Sequence, residues 1–243
     1  HKKLPKNKFK NIKLGFDPKL FTYNQLKYLF GDKIVLKPIE KNLVDQVFKI
    51  KKTISKPFFS LPSSAVGLSH KKKIATLSKY IKNKKSDLIF VTSSENIAWL
   101  LNIRGSDTPF SPLPNCNMII NKNKEIYLIT EKFKLKKLFL EKKLFPYQVT
   151  ETKNFEKLIK NLKGKKIIVD NKTLSIHNEK IIKSKFSIID RVDPCYYFKS
   201  IKNKVELKNM MQSHIADGVA LTKFLYWIKN LDNINLSEME AEK

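Results

Sequence analysis

The sequence predicts an α/β fold built on a mixed sheet. Three observations predict it. Strand-length apolar runs alternate with amphipathic helical stretches along most of the chain, which is the order of βαβ architecture. Leu88-Ile89-Phe90-Val91 is apolar without interruption, as in a strand covered on both faces. Asn121-Lys122-Asn123-Lys124 separates two apolar runs at hairpin spacing, which adds an antiparallel pair.

The elements follow in order. Lys13 to Phe16 is a short strand running into the Asp17-Pro18 turn, and Thr22 to Phe30 a helix stopped by Gly31. Lys33 to Leu36 reads as a second strand and Asn42 to Phe48 as a helical turn with an apolar face. Lys49 to Val66 holds Ser, Thr, Pro57 and Pro62 without periodicity, the signature of a linker. Ser69 to Asn83 places Ile74, Leu77, Ser78 and Ile81 at helical spacing behind a lysine face. After the strand at 88–91, Thr92 is the expected helix cap, with Glu95 three residues on. A loop rich in proline runs from Asn102 to Cys116, followed by hairpin strands at Asn117–Ile120 and Glu125–Ile129. A lysine-rich helix is expected over Lys132–Leu144 and another over Phe155–Leu162, closed by Gly164. Strand 167–169, helix 174–182 and strand 186–189 complete a domain of about 130 residues, an ordinary size. From Asn203 to about Asn230, Val205, Met210, Met211, Ile215, Val219, Phe224 and Ile228 trace a broad apolar stripe, the mark of a long helix that needs a large partner.

Composition narrows the function classes. With 42% hydrophobic residues the 243-residue chain builds a core, which excludes wholesale disorder. No run approaches the ~18 apolar residues of a membrane helix, and the start lacks the apolar stretch of a signal peptide. The expected compartment is therefore the cytosol, with no membrane partner. Forty-nine basic against 22 acidic residues give a formal charge of +27. Only Arg104 and Arg191 are arginines, leaving 49 − 2 = 47 lysines. Phosphate and base recognition favours the planar guanidinium fork, so lysine spread along the chain reads as a solvated surface. The runs at 71–73, 84–85, 136–137 and 142–143 are expected on outer helix faces and lack interleaved aromatics, which argues against nucleic acid as a partner.

Motifs add constraints. Cys116 and Cys195 stand far apart with no ligand-spaced Cys or His, so neither a disulfide framework nor a zinc knuckle is supported. His214 and Asp217 share a helix face at i,i+3, but a metal needs further ligands, and an interhelical or surface pair is the plainer reading. His70 and His177 read as surface histidines. The six glycines form no phosphate-binding pattern. In Asn102-Ile103-Arg104-Gly105-Ser106-Asp107 an arginine stands in a lysine-using chain, followed by turn residues. Either a guanidinium is needed there for bidentate or stacking contacts, or Arg104 ties the loop to a neighbouring carboxylate. The chain begins at His1 and ends just after Ser237-Glu238-Met239-Glu240, a capping box that opens a helix, so a fragment of a longer protein is expected.

The blocks Glu95–Asp107 and Ser200–Leu221, with Asp17-Pro18 and Asn42-Leu43-Val44-Asp45 before them, occur in the order found in the large three-domain aminopeptidase P family. The chain resembles that family over nearly its whole length. The resemblance implies the end of a first creatinase-like domain at 1–56, a linker at 57–61, a second creatinase-like α/β domain at 62–197, and from 198 to 243 the opening helix of a pita-bread α+β catalytic domain. Members remove an N-terminal residue ahead of proline with two divalent ions, usually manganese, held by five ligands. None of those ligands falls on a residue of this chain, so no catalytic or metal residue is assigned. The resemblance implies a hydrolase whose non-catalytic part contributes packing, substrate access near Arg104 and subunit contacts. Its expected partners are a peptide with proline second and a second copy in a homodimer. At Phe110-Ser111-Pro112-Leu113 the chain departs from relatives, which commonly carry Asn-Pro followed by aromatics. Two alternatives stand beside this reading: a peptidase-like binding scaffold without catalysis, and a lysine-rich nucleic-acid-binding module.

Overall fold

The computed structural model describes residues 13–31, 34–48, 56–231 and 236–241. They fall into two compact units, one of residues up to 61 with 68–201, the other of 62–67 with 202 onward.

The first unit opens with β1 (Lys13–Phe16), α1 (Tyr23–Phe30), β2 (Val35–Pro38) and α2 (Leu43–Val47). β1 and β2 pair in parallel, with Lys13 opposite Val35, as a helical crossover requires. Thr22 and Gln25 cap α1 reciprocally, and Gly31 ends it at φ 65°. The second strand lies further on than the expected 33–36, and Lys33 lies outside the described residues. So do residues 49–55 of the expected linker. The rest of that stretch is ordered structure: β3 (Phe59–Ser60) pairs with a later strand, and α3 (Ser63–Val66) belongs to the second unit. Phe58 is fully buried, and its burial anchors a segment that composition alone reads as a bare connector.

The chain continues through α4 (His70–Asn83), β4 (Leu88–Val91), α5 (Ser94–Leu101), β5 (Ile103–Arg104), β6 (Asn117–Asn121), β7 (Ile126–Ile129), α6 (Lys136–Leu140), β8 (Val149–Thr150), α7 (Phe155–Asn161), β9 (Lys166–Val169), α8 (Ile176–Lys183), β10 (Ser187–Asp190) and α9 (Cys195–Ser200). Six strands form one mixed sheet in the order β10-β9-β4-β6-β7-β8. Only β6 runs against its neighbours, pairing antiparallel with β4 and β7. The period of two divides the strand residues between two cores. Ile89, Val91, Met118, Ile120 and Ile168 face one cluster with Leu77 and Ile97 of α4 and α5. Leu88, Phe90, Ile119, Ile167 and Val169 face the other with Ile159 and Ile182 of α7 and α8. Helices on both faces explain why Leu88–Val91 could afford no polar residue.

Three local expectations are corrected. The N-cap position of α5 is Ser93, which makes no side-chain cap bond, and the Thr92 hydroxyl meets that of Thr173 at 2.6 Å instead of capping the helix. The helix expected over Lys132–Leu144 is a 3-10 turn at Lys132–Leu135 followed by α6. It stops because Lys142 takes the left-handed region at φ 51°, with Lys143 N–H bonded to the Leu138 carbonyl, the pattern of a Schellman end. In the Lys71–Lys73 run, Lys73 is not on the outer face: it is 2% exposed. Both cysteines are buried and free, and burial pushes both thiols up.

The second unit holds α3, α10 (Lys204–Lys229) and α11 (Glu238–Ala241). Asn203 and Glu206 form a capping box at the start of α10, and the Asn203 amide donates to the Val66 carbonyl at 2.9 Å. The helix runs 26 residues, about 39 Å. Beyond the half-buried Val205 its large apolar residues are exposed, Met211 and Ile215 each at 67%. Ser237 and Glu240 close the expected capping box on α11.

Candidate substrate-access site

The loop that leaves α5 is built on Asn102, which ends the helix in the left-handed region at φ 51°, a conformation Asn tolerates better than most residues. Both polar atoms of its side chain are hydrogen-bonded. The amide donates to the Leu68 carbonyl at 2.8 Å, and the amide oxygen accepts from Lys73 Nζ at 2.7 Å. Lys73 also donates to the Trp99 carbonyl at 2.9 Å and sits 4.2 Å from the Trp99 ring centroid. A buried ammonium thus lies at the C-terminus of α5, where the helix dipole favours a cation. The Asn102 carbonyl accepts from Leu61 N–H at 2.9 Å and from Lys143 Nζ at 3.2 Å. Lys143 also donates to Ser60 Oγ at 2.7 Å, and Ser60 donates to Glu141.

β5 then pairs antiparallel with β3, Ile103 opposite Ser60 and Arg104 opposite Phe59. Arg104 is half-buried; burial lowers its pKa, and one guanidinium N–H donates to the Ile103 carbonyl at 2.9 Å. Among the described residues no carboxylate forms an ion pair with it. Gly105 follows where no side chain fits. A Cβ there would stand 2.8 Å from Pro114 Cα and 2.9 Å from the Leu113 carbonyl oxygen. Asp107 fixes the far side: it accepts from Asn115 N–H at 2.8 Å and faces Lys134 Nζ at 3.3 Å, with side chains 6% and 9% exposed. Lys134 also reaches Glu131 at 3.1 Å and lies 5.7 Å from the Phe58 ring.

A family model described as the creatinase/prolidase N-terminal domain matches residues 50–206. The chain belongs to this family. This creatinase/prolidase-type chain is 30% identical over 248 residues to the Xaa-Pro aminopeptidase ApepP of Drosophila melanogaster, covering 96% of the chain and 39% of that protein. It is likewise 30% identical over 203 residues to a probable Xaa-Pro aminopeptidase P of Laccaria bicolor, covering 79% of the chain and 30% of that protein. Its fold superposes on an X-prolyl aminopeptidase from Caenorhabditis elegans, described as a cytosolic enzyme with a di-nuclear active site, at TM-score 0.72 and 25% identity over 89% of the chain and 37% of that structure. The chain therefore spans between 30% and 39% of the length of these relatives.

The remaining sequence candidates fall outside the Arg104 loop or at its edge. His70 is half-buried, its imidazole held below the usual range by burial and then by the Lys143 and Lys71 cations. His177 lines a cleft beside Lys19, Asn178 and Glu156. That cleft offers no anion cradle, because Ile176 and His177 N–H are taken by the Phe21 and Pro18 carbonyls and Asn178 N–H by Ser175 Oγ. His214 and Asp217 are exposed on α10. Among the described residues no three His, Cys, Asp or Glu side chains converge as a metal site, so the residues present do not fit a di-metal centre. No helix among the described residues is long and apolar enough to cross a membrane.

The sequence reading missed the lysines that hold the site. Lys73 stands four residues before Leu77 and eight before Ile81, so helical spacing already put it on the buried face. Lys134 and Lys143 carried no comparable signal. A second polar cluster was also missed. Asp193 accepts from Cys195 N–H at 2.9 Å and from the Asn96 amide at 2.6 Å, while its own N–H donates to Asp170 at 2.9 Å. Burial raises the Asp193 carboxyl above its usual range, against the pull of those hydrogen bonds.

Proposed function

We propose that this chain is the non-catalytic portion of a di-metal Xaa-Pro aminopeptidase that hydrolyses the bond ahead of a penultimate proline. The observation that carries the reading is the alignment of 96% of the chain with a named Xaa-Pro aminopeptidase, over a fold of the same family. In this reading residues 1–56 end a first creatinase-like domain, 57–61 link it to a second at 62–197, and 198–243 open the catalytic domain. The metal ligands lie in the rest of the protein, two divalent ions with manganese as the candidate. The exposed apolar stripe of α10 packs against that remainder. Loop 102–116 walls the path of the peptide with Arg104 at the entrance, and the working assembly is a cytosolic homodimer.

The test is kinetic. Full-length protein supplied with Mn²⁺ should cleave Xaa-Pro-Yaa peptides, while the 243-residue chain alone should show no metal-dependent hydrolysis. An inert full-length protein across Mn²⁺, Zn²⁺ and Co²⁺ would refute the reading, as would robust activity from the chain alone. Arg104→Ala should raise KM or lower kcat; unchanged kinetics would remove Arg104 from the access path.

A further inference from the structure

The chain leaves the first unit at Pro62 and re-enters it at Leu68, and residues 62–67 between them belong with α10. One residue pins the base of this excursion. The Asn102 carbonyl accepts from Leu61 N–H at 2.9 Å, and the Asn102 amide donates to the Leu68 carbonyl at 2.8 Å. Asn102 is 4% exposed and its amide oxygen is held by Lys73 Nζ at 2.7 Å, so the base has little room to spread.

At the far end α3 has only four residues, too few to persist as a free helix. Its last carbonyls need partners, and α10 supplies them. Asn203 Nδ2 donates to the Val66 carbonyl at 2.9 Å, and Asn209 Nδ2 to the carbonyls of Ser64 at 2.9 Å and Ala65 at 3.4 Å. Asn203 Oδ1 accepts in turn from Val205 and Glu206 N–H, each at 3.0 Å, so one side chain ends α3 and begins α10. Gly67, at φ 63°, permits the close approach: a Cβ there would stand 2.8 Å from Val205 Cβ and closer still to Asn203 Oδ1.

We infer that residues 61–68 form a strap that couples the first turn of α10 to Asn102, and through it to the strand that carries Arg104. Both ends of the strap are hydrogen-bonded, and few backbone torsions lie between them in which a displacement could dissipate. Ser60 of β3 pairs with Ile103 of β5 just before the strap begins, and Asn102 directly precedes β5. Loosening at α10 therefore reaches Arg104 by two chain paths, through Leu61 to β3 and through Leu68 to Asn102. Such coupling is reciprocal, so whatever loosens Asn102 must loosen the first turn of α10 by a similar factor. Neither end of the strap needs a bound peptide, so the coupling holds whatever the whole protein cleaves.

Hydrogen exchange followed by mass spectrometry on the full-length protein tests this, comparing wild type with Asn209→Ala, Gly67→Ala and Asn102→Gly. Asn209→Ala keeps a good helix former, and Asn102→Gly keeps access to the left-handed region while deleting the amide. Asn209→Ala should speed exchange at Ala65 and Gly67 within the strap and also at Leu61 at its base, each roughly two- to ten-fold, the net worth of one hydrogen bond. Phe90 at the sheet centre should not change, and Gly67→Ala should act at the same positions. Asn102→Gly should speed Val205 and Glu206 in the reverse direction. Faster Ala65 and Gly67 with an unchanged Leu61 overturns the coupling, because the loss then stays within α3. No change at Ala65, Gly67 and Leu61, a rise shared with Phe90, or an effect in one direction only overturns it as well. Should Asn102→Gly fail to fold, Asn102→Asp takes its place, since Asp tolerates the same backbone region and still accepts from Lys73 but cannot donate to the Leu68 carbonyl.

Discussion

Lys134→Met tests whether a buried ion pair, and not apolar packing alone, fixes the Arg104 loop. Lys134 and Asp107 stand 3.3 Å apart with side chains 9% and 6% exposed. Two unit charges at that distance attract by about 5 kcal/mol at an effective dielectric of ~20, and most of that offsets the loss of hydration. Removing one partner exposes the asymmetry, because Asp107 then keeps its desolvation penalty without the facing ammonium. Such losses run about 3–5 kcal/mol. The Asn115 N–H bond to Asp107 at 2.8 Å survives the change, so the lower end, ~3 kcal/mol, is expected. Glu131, the other partner of Lys134, is 49% exposed and regains water, so it adds under about 1 kcal/mol. With a urea slope near 2 kcal/mol/M, ~3 kcal/mol moves the midpoint by about 1.5 M. Urea unfolding followed by circular dichroism reads this directly. The double variant Lys134→Met/Asp107→Leu should recover part of the loss, since the carboxylate that faced the ammonium is removed with it. A cost below about 1 kcal/mol for Lys134→Met, the range of exposed pairs, would refute the argument that this pair fixes the loop.

Three further outcomes are expected. Asp193→Asn should stabilise the chain at pH 7, because Asn keeps an acceptor for Cys195 N–H, its amide can donate to the buried Asn96 oxygen once the Asn96 amide turns over, and a carboxylate whose burial disfavours its charge is removed. Its folded pKa lies above the unfolded one, so wild-type stability from this group is greatest below the unfolded pKa and falls as pH rises through the folded value; thermal melts across pH that show no gain, or a gain only in acid, would contradict this. Asp87 behaves oppositely. Lys122 at 2.7 Å and the N–H groups of Lys165 and Lys166 hold its carboxyl down to about 2. Its stabilisation is present above about pH 4 and is lost as pH falls through the folded value. Asp87→Asn should therefore flatten the acid limb of the stability curve, and an unchanged limb would assign that limb to other groups. Gly105→Ala should cost about 1–3 kcal/mol, since the added Cβ meets the Pro114 backbone at 2.8 Å; equal denaturation midpoints would show that the Pro112–Pro114 segment yields freely.

The sheet was legible because its code is local. Leu88–Val91 is apolar on both faces and both faces are covered, and Asn121–Lys124 carries its turn in its own residues. The same holds for α10, whose Asn203/Glu206 box and apolar stripe lie within one segment. The site was legible only where it followed that rule. Asn102 and Gly105 announce a helix end and a turn, whereas Lys134 and Lys143 acquire meaning only when the fold brings Asp107 and Ser60 to them. A two-residue strand such as β3 is set by its partner β5 across more than 40 residues, and no periodicity exists in two residues to reveal it. The missing end of the expected Lys132–Leu144 helix has the same cause: Lys142 takes a conformation usually signalled by glycine.

The arrangement around Arg104 also changes what the charge of the chain means. Lys73 and Lys143 converge on Asn102, and Lys134 meets Asp107, so three lysines from separate segments hold the two ends of a six-residue stretch. Apolar side chains of similar volume would often stabilise a fold as well or better than buried ions, so net stability is a poor reason for this choice. What an ammonium adds is direction, because it must lie where carbonyl, amide or carboxylate oxygens can reach it. Each bond therefore restricts where Ile103 and Arg104 can sit relative to β3, and together they allow little drift in the strand pair. A lysine count of 47 (49 − 2) conceals this, since these lysines resemble their solvated neighbours until their acceptors are identified.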